Sequence, residues 1–149
     1  MAPSAQQHEG AHSLEVRRTI RAPRERVFRA WTRQEEIDQW GAPGPMSVPR
    51  AQVDLRVGGS YRIEMLEPDG TRHVATGVYK EVKPPERVVF TWGWDDKSDA
   101  TDTLVTVEFH ERGRDTEVVL KHERFDVADH ATRHQSGWTS ILEKFAQRF

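Results

Sequence analysis

Apolar residues in the last part of the chain recur with a helical period. At 100° per residue, Ala131, His134, Trp138, Ile141, Leu142, Phe145 and Phe149 fall within an arc about 100° wide, the width of a core-facing stripe. Gln135, Ser136, Thr139, Ser140, Glu143, Gln147 and Arg148 lie outside it. The pattern predicts one long amphipathic helix over 129–149. Residues 51–123 read instead as strands. A lone terminal helix whose apolar face has only a sheet to meet must lie across that sheet. A sheet curved around one long helix tends to leave a gap between the two.

Upstream, Leu14, Val16, Arg18 and Ile20 alternate with Glu15, Arg17, Thr19 and Arg21, which predicts a first strand. Ala22-Pro23 ends it, because proline fixes φ and suits a first helical turn. Val27, Phe28 and Trp31, then Ile37 and Trp40, predict two short helices in succession. The stretch 41–49 holds three prolines and two glycines and reads as loop.

The period then switches to two. Strands are predicted over 52–56, 60–67, 71–82, 87–94, 103–109 and 116–122, with a turn or bulge at Gly58-Gly59 and hairpin turns at Pro68-Asp69-Gly70 and at 112–115. Val88, Phe90, Trp92 and Trp94 share one face of their strand, as do Val105, Val107 and Phe109, and Thr116, Val118, Leu120 and His122. Asp126 or Asp129 would cap the last helix. The expected class is α+β, a curved antiparallel sheet of about six to seven strands wrapped on a long C-terminal helix. A disordered tail is expected over 1–13 and a single domain over 14–149.

Composition narrows the function classes. There are 22 basic and 24 acidic residues, a net charge of −2, with the arginines scattered among acids. A nucleic-acid partner would leave a basic stripe, and there is none. The chain has no cysteine, which excludes disulfides, thiol catalysis and cysteine metal sites. Residues 1–13 have no Lys or Arg and no apolar centre, so they are not a secretory signal. No apolar run approaches the roughly 20 residues that span a bilayer. The expectation is a cytoplasmic protein without membrane contact.

Several residues carry candidate chemistry. His122 and His134 sit within otherwise apolar inner faces, one on the last strand and one on the helix. Either they meet across a cavity and orient a polar ligand group, or move a proton, or each bonds a backbone carbonyl or water as an ordinary satisfied histidine. His130 and His134 have helical metal-ligand spacing, but Ala131-Thr132-Arg133 between them gives no HExxH, and no third ligand is evident. Trp92, Trp94, Trp138, Tyr61, Met65 and Phe90 either line a cavity or fill the core. Arg18, if turned inward, would hold a carboxylate; as an edge-strand residue it would reach solvent. Glu64 is a further charge on a strand, and Asp95-Asp96 with Asp99-Asp102 form an acidic loop that either flanks a pocket mouth or is solvated. No nucleophile elbow, P-loop or dinucleotide fingerprint is present, and Gly58-Gly59 opens a strand rather than a helix.

In this order and spacing, a set of segments resembles the START-related helix-grip superfamily (SRPBCC), in the branch named after the activator of the heat-shock protein-ninety ATPase. They are 22–28 (APRERVF), Trp40, 57–62 (VGGSYR), Asp69-Gly70 with Gly77, 84–92 (PPERVVFTW), 105–109 (VTVEF), 116–122 and Gly137-Trp138. The resemblance covers roughly residues 14–149. It implies a deep cavity between sheet and terminal helix, which different members use for lipids, hormones, polyketides or aromatic ring substrates. Fold alone does not assign function.

The expected partner is therefore a hydrophobic small molecule, with no cofactor and no metal. Candidate contact residues are His122, His134, Trp138, Trp92, Trp94, Phe90, Tyr61, Met65, Val107, Leu120 and Ile141. Two other classes stand beside this one. The branch name suggests a chaperone-associated interaction protein of the stress response, although in the namesake co-chaperone this kind of domain accompanies a second one. A cofactor-free enzyme, cyclase- or hydrolase-like, would use His122 or His134 as acid or base. A homodimer fits the fold without a sequence signature for its interface.

Overall fold

A computed structural model describes residues 12–98 and 101–149. Strand β1 (His12–Ile20) is followed by helices α1 (Arg24–Thr32) and α2 (Gln34–Trp40). Strands β2 (Ser47–Val53), β3 (Ser60–Leu66), β4 (Arg72–Lys83), β5 (Arg87–Trp94), β6 (Thr103–Arg112) and β7 (Asp115–Phe125) come next, and α3 (Ala128–Ala146) closes the chain. The strands form one curved antiparallel sheet in the order β1-β7-β6-β5-β4-β3-β2. This is the α+β helix-grip arrangement expected from the period switch.

Alternation decides which strand faces go inward. Val105, Val107 and Phe109 on β6, and Val118, Leu120 and His122 on β7, are essentially inaccessible to water. Helix α3 buries Ala131, His134, Trp138, Ile141, Leu142 and Phe145, which is the stripe read from the sequence. It packs chiefly against β1 and β7, while α1 covers β6 and β7. At one end of the core Phe28, Trp31, Trp40, Phe109 and Phe145 pack together with ring centroids 4.5 to 6.3 Å apart, edge to face except for the tilted Trp31–Trp40 pair.

One close approach depends on a missing side chain. A Cβ on Gly77 would lie 1.9 Å from the Thr91 carbonyl oxygen and 2.7 Å from the Tyr61 ring, so strands β3, β4 and β5 converge there only over glycine.

Several boundaries differ from expectation; the terminal helix, for one, ends at Ala146 rather than at Phe149. Strand β2 begins at Ser47, inside the stretch read as loop. It is an edge strand whose register shifts between Ser47 and Arg50, so Pro49 lies where a missing N–H is tolerated. Strand β1 begins at His12, pairing with Phe125, rather than at Leu14. Of the tail expected over 1–13, residues 12–13 belong to β1 and the rest lie outside the described residues. At the N-terminus of α3 the capping position is Val127, with no side-chain cap; Asp129 sits in the first turn, where its charge suits the helix dipole.

Candidate functional site

Sheet and terminal helix part company over β3, β4 and β5. The space between is a cavity of about 340 Å³, within the range of small-molecule sites. Its inner wall is apolar: Met65 from β3, Val74 from β4, Trp92 and Trp94 from β5, and Trp138 and Ile141 from α3. Its rim is charged and exposed, formed by Arg72, Asp95, Asp96 and Arg133, with Ser98 and the half-buried His73 beside them. A second hollow of about 40 Å³ lies alongside, lined by Tyr61, Phe90, Trp31 and Trp40. Trp92 and Trp138 belong to both.

Gly137 explains part of the space. It lies in the cavity wall on α3, and a Cβ built there would meet nothing within 4 Å. Glycine in a helix interior costs roughly 1 kcal/mol relative to alanine, and here it leaves the cavity open.

The loop between α2 and β2 supplies another side through Pro43 and Met46. Helix α3 holds this loop: the Lys144 ammonium donates to the carbonyls of Ala42 (2.6 Å) and Met46 (3.0 Å), and the Gly44 N–H donates to Ser140 Oγ (2.7 Å). Partial burial lowers the Lys144 pKa.

The two histidines do approach each other, with rings 5.3 Å apart and edge to face, but their surroundings differ. His134 lines the cavity and its Nδ1 lies 2.9 Å from the His130 carbonyl oxygen, so Nδ1 carries a proton. His122 lies behind the wall, fully buried. The Trp138 indole N–H donates to its Nδ1 at 2.9 Å. Thr103 Oγ1 is 2.7 Å from its Nε2 and donates its own proton to the Trp92 carbonyl at 2.8 Å. His122 Nε2 must therefore be the donor to Thr103. The resulting chain runs from Trp138 through His122 and Thr103 to the Trp92 backbone, tying two of the three cavity tryptophans to the core. Burial first, and the nearby His134 second, push the His122 pKa well below its ordinary value.

Of the residues expected to touch a ligand, Met65, Trp92, Trp94, His134, Trp138 and Ile141 line the main cavity. Tyr61 and Phe90 line the small hollow. Val107, Leu120 and His122 line neither; they lie on β6 and β7, whose inner faces the helices cover. Of the acidic loop, Asp95 and Asp96 both sit on the rim in solvent; Asp99 lies outside the described residues. The Asp96 carboxylate accepts the Ser98 N–H at 2.9 Å, and its hydrogen bonds from Ser98 hold its pKa down. Arg18 is exposed on edge strand β1. Glu64 accepts from Arg62 and Arg72 at 2.7 and 2.8 Å, and the hydrogen bond from Arg62 leads in lowering its pKa.

The sequence reading missed Pro43, Met46, Val74, His73 and Arg133, which come from three separate segments. Gly137 did carry a signal, an isolated glycine inside a helical stripe. Among the described residues no three of His, Cys, Asp and Glu gather as a metal-ligand cluster. No helix among them is long and apolar enough to cross a membrane.

Comparison with known proteins agrees with this geometry. A structure of AHSA1 (SPO3351) from Silicibacter pomeroyi is 29% identical, with a TM-score of 0.83 over 92% of this chain and 96% of that one. Protein CV1439 from Chromobacterium violaceum is 27% identical, with a TM-score of 0.83 over 91% and 94%. An AHSA1-like protein from Aeromonas hydrophila is 26% identical, with a TM-score of 0.77 over 91% and 90%. No curated protein matches the chain significantly. The sequence profile of the Activator of Hsp90 ATPase homolog 1-like proteins matches residues 21–149, and the chain belongs to that family.

Proposed function

We propose that the protein binds an apolar or aromatic small molecule between sheet and terminal helix, and does so in the cytoplasm. The observation that carries this reading is the 340 Å³ cavity with an apolar, tryptophan-rich inner wall and a charged rim. Such a site buries a flat hydrophobic body while a polar end stays near water. The hydrogen-bond chain through His122 supports binding over proton transfer, because both its ring nitrogens are engaged and it stands behind the wall. Gly137 supports it too, since a helix-favouring residue there would stabilise the helix and fill the space.

N-phenyl-1-naphthylamine, a fluorescent apolar amine, tests the reading. Wild type should bind it saturably with blue-shifted emission. Gly137→Leu should abolish that binding without lowering the melting temperature, since leucine favours the helix by roughly 0.8 kcal/mol over glycine. Equal binding by both proteins would place the probe elsewhere and refute the proposal, as would no binding by wild type.

A further inference from the structure

Three polar groups on the aromatic side chains around the two hollows are spoken for within the protein. The Trp138 N–H goes to His122 Nδ1, the Tyr61 hydroxyl to the Thr91 carbonyl at 2.6 Å, and the Trp40 N–H to the Ala30 carbonyl at 3.1 Å. The Trp92 indole N–H is different: it is buried and has no hydrogen-bond acceptor among the described residues. Trp92 is 4% exposed and forms part of the wall of both hollows. A buried donor left unpaired is an energetic liability that native proteins rarely keep without a use.

The surroundings of Trp92 restrict what would satisfy that donor. Around it stand Met65, Ile141, Trp138 and Trp94, none of them charged, and His122 is held neutral behind it. The charged side chains lie at the rim. A neutral oxygen acceptor can take the Trp92 N–H without the desolvation cost an anion would bring to this depth, and His134, which also lines the cavity, already commits its Nδ1 to the His130 carbonyl. The Trp92 backbone is anchored through the Thr103 hydroxyl, so an adjustment to reach a ligand falls to the side-chain torsions.

Building on the proposed binding function, we propose that the ligand is a flat apolar compound bearing a neutral hydrogen-bond acceptor, a ketone, ester or ether oxygen, received by the Trp92 indole N–H. Trp92 is then the specificity-determining residue of the cavity. It separates carbonyl-bearing ring compounds from bare hydrocarbons of the same shape.

1-Tetralone and tetralin, which differ by one carbonyl oxygen, test this with wild type and Trp92→Phe. Phenylalanine keeps apolar surface in the wall but has no N–H. Titrations should show tetralone weakened about tenfold by the substitution and tetralin by less than twofold, the difference being the hydrogen bond. The carbonyl stretch of bound tetralone should shift to lower frequency in wild type only. Should the variant fail to fold, the indole ¹⁵N–¹H resonances of wild type decide: one should move downfield with tetralone and stay with tetralin. Equal weakening of both compounds, or no ketone-specific indole shift, overturns the inference and leaves the cavity reading standing. No saturable binding of either compound to wild type overturns both.

Discussion

His122 makes the fold sensitive to acid in a way that can be worked out from its contacts. To become protonated in the folded protein it would need a proton on Nδ1, which faces the Trp138 N–H at 2.9 Å, so two donors would meet head on. Burial and the neighbouring His134 act in the same direction, and the folded pKa lies well below the ordinary 6.5. In the unfolded chain the same imidazole takes up a proton near its ordinary value. Between the two pKa values the unfolded state holds more protons, so stability rises with pH through this window and is complete above it. As pH falls below 6.5, stability is lost at a limiting slope of about 1.4 kcal/mol per unit. The loss continues at that slope for as long as His122 stays neutral in the fold. The assay is urea unfolding from pH 4.5 to 7.5 on wild type and His122→Gln. Other titrating groups contribute to both proteins and largely cancel in the difference. The variant should start less stable at pH 7.5 and close the gap as pH falls. Parallel curves would refute the reasoning, because they would mean that His122 titrates alike folded and unfolded.

Two further perturbations follow from the geometry. Gly77→Ala places a Cβ 1.9 Å from the Thr91 carbonyl oxygen, a clash with backbone that no rotamer relieves; it should cost about 3 kcal/mol or more in chemical unfolding, and a loss below about 1 kcal/mol would contradict the close strand approach. Lys144→Met removes two of the three hydrogen bonds that hold the 42–46 loop against α3; a loss of about 2 kcal/mol is expected, with faster amide exchange at Met46. Unchanged exchange there would show that the loop is held by its own packing.

Much of the architecture was legible because periodicity reports which way a side chain faces. The helical stripe from Ala131 to Phe145 and the alternation along β5, β6 and β7 identified the buried faces. The composition of the turns at Pro68-Asp69-Gly70 and Arg112 to Asp115 placed two hairpins. Strand β2 was hidden because proline normally argues against a strand, and only its position at the sheet edge makes Pro49 acceptable.

The cavity itself is a property of the assembled layers. Trp92, Val107, Leu120 and His122 all carry the same inward signature, yet Trp92 borders open space while the other three are sealed under helices. Periodicity tells a residue's face but not the distance to whatever covers it, and that distance depends on where α1 and α3 lie across the sheet. The same limit hid Met46, His73 and Arg133, which meet around the cavity although they are far apart in the chain. The tautomer of His122 likewise needed Thr103 and Trp138 in place, since a hydrogen-bond partner on a neighbouring strand or a layer away leaves no local trace in sequence. From the sequence alone came the scaffold and its inward faces; which of those faces stays uncovered, and so where a ligand has room, was decided by packing.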